Sequence, residues 1–188
     1  MINKIPQNKN KGFTLIEVLV AIFILITAVV VPLTIGSKAF AYSNFVRDQS
    51  TASYLAQEAV EYIRLQRDNA SLQYDGFNNP WEVFKSAVGN CMSDPDDSDL
   101  GGCYFNVQTS SPSITSCDGK CPSMYLDSNG YYTYVDTSGK WFLRSVETQV
   151  VGSGALERLR IDVTVLWNTN GIDERRFEVT DYVTPWQI

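Results

Sequence analysis

After a short polar start, the chain runs apolar for 23 residues, from Phe13 to Ile35. Between Val18 and Leu33 the only polar side chain is Thr27. As a helix this run is roughly 35 Å long, enough to cross a bilayer. Glu17 lies in its first turns. A carboxylate there costs about 2.5–3.5 kcal/mol on insertion scales measured for Asp, and no cation stands near it in the apolar run. The spacing therefore predicts a partner on another molecule. Polar residues return at Ser37 while the helical period continues. Ala52, Leu55, Ala56, Ala59 and Ile63 form one apolar stripe, with Gln49, Ser53, Gln57, Glu58, Glu61, Arg64 and Arg67 largely off it. Glu61 and Arg64 stand at a favourable i,i+3 spacing. Asp68-Asn69 and Asp75-Gly76 are stop signals. The pattern predicts one helix from Phe13 to about Arg67, some 80 Å long. The alternative is two helices broken at Pro32 and Gly36, since an internal proline removes a backbone bond and commonly kinks a helix. Either way the second half needs a cover for its stripe, and a β-sheet packed on one face supplies it.

The period changes downstream. Residues 69–130 read as irregular, with a short helix at Trp81–Val88. From Tyr131 the chain turns β-rich. Turn chemistry at Asp127–Gly130 and Asp136–Gly139 flanks Tyr131–Val135. A strand-like run follows from Trp141 to Val151, then Gly152-Ser153-Gly154. Leu159, Ile161, Val163, Val165 and Trp167 alternate with Arg160, Asp162, Thr164 and Leu166, a half-buried strand with one imperfect position. After Asn168–Gly171 a last strand carries Phe177, Val179, Asp181 and Val183 on one phase. Three strands joined by short turns predict an antiparallel meander. The expected class is α+β: a long N-terminal helix with a C-terminal antiparallel sheet packed on its second half.

Composition narrows the chemistry. The net charge is −6, and Lys4, Lys9 and Lys11 precede the apolar run with no acid among them. The remainder is strongly acidic, which argues against nucleic-acid binding. There is no histidine, so the commonest general base and metal ligand is missing. No nucleophile elbow, zinc-protease helix motif or phosphate loop occurs, so no catalytic residue, cofactor or metal is expected. The acidic loop Asp94–Gly102 fails the calcium-loop pattern, with Asp99 at the sixth position and Phe105 at the twelfth. Cys91, Cys103, Cys117 and Cys121 all follow the apolar run. An even count in an exported region reads as disulfides, with three possible pairings, of which Cys91–Cys103 with Cys117–Cys121 is the local one.

Three readings compete for the N-terminus. Ala39-Phe40-Ala41 offers a signal-peptidase pattern, but the apolar run is longer than a usual signal core and contains Glu17. A plain signal anchor accounts for length and, through the lysines, for a cytoplasmic N-terminus, yet leaves Gly12 and Glu17 unexplained. Third, Gly12-Phe13-Thr14-Leu15-Ile16-Glu17-Val18-Leu19-Val20-Ala21 resembles the N-terminal motif of type IV pilins and type II secretion pseudopilins.

The resemblance implies a leader cut after Gly12 by a prepilin peptidase, N-methylation of Phe13, and pairing of Glu17 with the terminal amine of a neighbouring subunit. It implies a helix break at Pro32 and Gly36 that can unwind in the filament. It divides the chain into a leader (1–12), a transmembrane and assembly segment (13–36), an amphipathic stem (37–68) and a disulfide-containing head (69–188). The implied partners are other pilin subunits, the prepilin peptidase, an inner-membrane assembly platform and, before assembly, the lipid bilayer. The implied location is a single pass through the cytoplasmic membrane, then an extracellular or periplasmic filament. Arg158 to Trp186 is similar to the C-terminal region of V-type minor pilins and I-type pseudopilins. The expected role is structural and non-enzymatic: a minor pilin, with a secretion or DNA-uptake pseudopilin or a tip adhesin as alternatives.

Overall fold

The computed structural model describes residue 12 and residues 14–74, 76–92, 102–107, 112–137, 140–169 and 173–185. Residues 1–11, Phe13, the acidic loop at 94–99 and Trp186 lie outside the described residues. The chain forms two compact units, one ending at Asn44 and one beginning at Phe45. Helix α1, Leu15–Leu72, contributes to both.

In the first unit α1 is apolar and bare. Every buried residue of the helix lies at Asp48 or beyond. Among the described residues this is the one helix long and apolar enough to cross a membrane. Its hydroxyls bond back to its own carbonyls: Thr27 to Phe23 and Ile24, Thr34 to Val31, Ser37 to Thr34. That leaves few polar groups exposed to hydrocarbon. The helix runs through Pro32 and Gly36 without interruption, so the break expected there is not present in the isolated chain. Proline's fixed φ is compatible with a helix and its ring forfeits one backbone bond, which the surrounding turns absorb.

The second unit is a sheet laid over the rest of α1. In chain order come α2 (Pro80–Ala87), β1 (Cys103–Tyr104), β2 (Thr115–Ser116), β3 (Ser123–Leu126), β4 (Tyr132–Thr133), β5 (Trp141–Val151), β6 (Arg158–Thr169) and β7 (Asp173–Val183). All pairings between these strands are antiparallel. β5 carries β1 and β3 on one edge and β6 along the other, and β7 lies outside β6. The meander β5–β6–β7 is the expected one. Its inner face places Phe142 opposite Trp167 and Val146 opposite Val163. These pack with Ala52, Leu55, Ala56, Ala59 and Ile63, the stripe read from the sequence, and with Val60 and Tyr62. Helix α1 passes Asp68-Asn69 and ends about a turn late, because Ala70 packs on the core and the Ser71 hydroxyl bonds the Arg67 carbonyl. Packing outweighs a local stop signal.

The outer face is covered as well. Leu166, the imperfect position of β6, is buried with Leu143, Cys121, Cys117 and Trp141. The Cys117–Cys121 loop lies over this patch, and Lys120 sits 6.0 Å from the centre of the Trp141 ring. The other disulfide, Cys91–Cys103, belongs to the inner core. The two staples thus serve opposite faces of one sheet. Beside the first, Gly102 has φ +84°, and a Cβ there would stand 2.4 Å from the Val146 carbonyl oxygen. Only glycine fits so close an approach.

Polar contacts lock the periphery. Arg64 bonds Glu61 at 2.7 Å, the anticipated i,i+3 pair, and also reaches Asp181 of β7 at 2.8 Å. Asp48 is buried and paired with Lys140. Glu157, at the β5–β6 turn, accepts from Trp81 Nε1 at 2.6 Å and Lys85 Nζ at 2.7 Å. The Lys85 bond, then the Trp81 bond, hold the Glu157 carboxyl below its ordinary 4.5. A carboxyl depressed in the folded state stabilises it above the unfolded value and loses that contribution as pH falls through the folded value. Thermal stability is therefore expected to decline as pH is lowered from about 5, and Glu157→Gln should flatten that decline. Melting curves of both proteins between pH 7 and pH 3 test this. Equal slopes would mean that Glu157 is not a source.

Candidate processing and assembly site

The residues singled out by the sequence occupy the start of α1. Thr14 opens the helix. Its backbone oxygen accepts from the amides of Glu17 at 3.1 Å and Val18 at 3.2 Å, and its hydroxyl lies 3.4 Å from the Glu17 amide. This is an N-cap, and Thr14-Leu15-Ile16-Glu17 has the spacing of a capping box, Thr at the cap and Glu three residues on. The cap was not identified from the sequence, although its T-x-x-E spacing was there to be read. Its effect is to begin the helix at Leu15, directly after the cap.

Gly12 is exposed, and beyond its chain neighbours no atom of the described residues lies within 4 Å of where a Cβ would stand. Its φ is not left-handed. Among the described residues neither packing nor a left-handed backbone demands glycine there. The same holds for Gly36. Glu17 is exposed on the apolar helix, and among the described residues no side chain pairs with its carboxylate. Its place in the first turn puts it at the favourable end of the helix dipole. Leu15, Ile16, Val18 and Leu19 around it are all exposed. A lone acid in an uncovered apolar surface is costly in hydrocarbon unless a cation meets it.

The other candidates stand apart. Pro32 and Gly36 sit farther along α1, and the cysteines form the two staples of the second unit. No group of potential metal ligands occurs among the described residues.

No curated protein and no solved structure matches the chain. Residues 7–31 match the family model described as the prokaryotic N-terminal methylation motif. That match spans Gly12, Phe13, Thr14 and Glu17, and it points to a structural protein rather than an enzyme, with other pilin subunits and a prepilin peptidase as partners. Together with the apolar helix it indicates membrane anchoring. Over residues 7–31 the chain carries the N-terminal methylation motif, the class III prepilin leader of type IV pilins and pseudopilins, and this motif supports a pilin- or pseudopilin-like protein.

Proposed function

We propose that this chain is a minor prepilin. The prepilin peptidase cuts after Gly12 and methylates Phe13, and the protomer waits as a single pass in the cytoplasmic membrane with its N-terminus inside. An inner-membrane platform then moves it from lipid into a filament, where Glu17 pairs with the terminal amine of a neighbour. The observation that carries this reading is the methylation-motif match at residues 7–31 around an acid with no described partner on a bare apolar helix. The freedom of Gly12 from any packing requirement supports a protease as the reason for it. The long segment between α1 and β5, held by two disulfides on opposite faces of the sheet, supports a specialised subunit rather than the bulk one. In the filament, Pro32 and Gly36 form the place where α1 unwinds, since one backbone bond is already missing there.

Mass spectrometry of the mature N-terminus tests the processing step. The expected chain begins at N-methylated Phe13. A chain beginning at Tyr42 would make the segment a cleaved signal peptide, and an intact Met1 would make it a plain anchor.

A further inference from the structure

The second unit contains a cleft that filament assembly through α1 does not use. It has a volume near 380 Å³ and lies between α1 and the turn that leads into β4. Small-ligand sites begin at roughly 300 Å³, so it suits one or two sugar-sized rings. Tyr54 and Tyr131 line it while remaining 71% and 54% exposed. Buried Leu55 and half-buried Tyr132 complete the apolar part, and Thr51 and Glu58 supply oxygen atoms.

The lining is fixed before any ligand arrives. The Tyr131 amide donates to Asp127 Oδ1 at 2.8 Å, the Asp127 amide donates to the Tyr131 carbonyl at 2.8 Å, and the Asn129 amide donates to Asp127 Oδ1 at 2.9 Å. The Tyr131 bond foremost holds the Asp127 carboxyl below its ordinary 3.8, so the turn is tied by a charged acceptor at neutral pH. Tyr132 packs its ring edge-on against Phe142, centres 5.3 Å apart. Glu58 Oε2 accepts from Arg144 Nη1 at 2.6 Å. Its Oε1 has no partner among the described residues.

This combination selects a ligand class. Tyrosine offers a broad, rigid, amphipathic surface at low entropic cost. Two such rings left in water suit a ligand with an apolar C–H face. A tyrosine cage for a cation would exploit net negative charge, but Arg144 neutralises Glu58. What remains is an oriented oxygen acceptor without net charge, which suits a hydroxyl. We propose that the cleft between Tyr54 and Tyr131 binds a neutral saccharide, with the rings against its C–H faces and Glu58 Oε1 accepting from a hydroxyl. The site lies wholly in the second unit, so it stands or falls independently of the leader chemistry.

The test uses the full chain in a polyoxyethylene detergent, which carries no sugar. Saturation-transfer NMR would be run with glucose, galactose, mannose, N-acetylglucosamine and their disaccharides, and with tetramethylammonium as the cationic probe. At least one sugar is expected to bind saturably. Tyr54→Ala and Tyr131→Ala should each weaken it about tenfold, with unchanged far-UV circular dichroism because both side chains are exposed. Tyr182→Ala, exposed elsewhere on β7, should bind as the parent does. The proposal is overturned if none of these sugars binds, if both cleft variants bind as tightly as the parent, or if tetramethylammonium takes the cleft in place of sugar.

Discussion

Glu17→Ala is expected to remove the protein from filaments while leaving leader removal and the head unchanged. Two free-energy terms act in the same direction. In the membrane, deleting the carboxylate relieves a cost of about 2.5–3.5 kcal/mol, taken from the insertion scale for Asp, so the protomer becomes more comfortable in lipid. In the filament as proposed, the neighbour's terminal ammonium is left without its counter-charge between apolar helices, a loss of about 3–5 kcal/mol for a buried pair broken on one side. Either term alone shifts the partition between membrane and filament by about a hundredfold or more. The head is untouched because Glu17 belongs to the first unit and all buried residues of α1 lie at Asp48 or beyond. Glu17→Asp keeps the charge on a shorter arm and should be incorporated at an intermediate level. Immunoblots of sheared filaments and of membranes measure the partition, and the size of the membrane form reports cleavage. Full incorporation of the alanine variant would show that Glu17 is not an assembly residue.

What could be read from the sequence depended on whether one element or several decided a residue's place. The apolar run, the α1 stripe and the alternation of β6 each follow from a single element's period, and each was legible. The run Trp141–Val146 showed no period because both faces of β5 are covered, the inner by α1 and the outer by the Cys117–Cys121 loop. Leu166 looked misplaced for the same reason. Asp48 stands one turn before Ala52 on the same helix face but is acidic, and its burial is matched by Lys140, 92 residues on. The two-residue strands β1 and β2 exist only as partners of other strands and carry too few residues for a period. At the leader the legibility was different in kind. Gly12 packs against nothing among the described residues, and Glu17, though well placed for the helix dipole, has no cationic partner there, so the reason for both residues is sought in a protease and a second subunit.

Arg144→Ala should cost the head about 3–5 kcal/mol, a large share of the roughly 5–15 kcal/mol that holds a typical domain together. Arg144 alternates in phase with Phe142 and Val146, so the sheet delivers a cation to the inner core, where it is 0% exposed. Its Nη1 donates to the Leu55 carbonyl at 3.0 Å and to Glu58 at 2.6 Å, its Nη2 donates to the Phe105 carbonyl at 2.9 Å, and its guanidinium carbon lies 4.9 Å from the centre of the Phe105 ring. One side chain thus joins β5, α1 and the segment after β1. Alanine would leave a cavity and strip Glu58 of its cation, while the Phe105 carbonyl keeps the Tyr134 hydroxyl at 3.2 Å and the Leu55 carbonyl its place inside α1. Arg144→Met keeps most of the volume and should cost less. Glu58→Gln should also be costly, because the guanidinium stays charged in the core with only neutral acceptors. The double variant Arg144→Met, Glu58→Gln removes both charges, so its cost should fall short of the sum of the single costs by up to about 3 kcal/mol. Urea unfolding of the full chain in detergent, followed by tryptophan fluorescence, measures the four variants against the parent, since Trp167 is buried in the same core. A loss below about 1 kcal/mol for the alanine variant, or single costs that simply add, would mean that the cation is a passenger and that apolar packing alone fastens the sheet to α1.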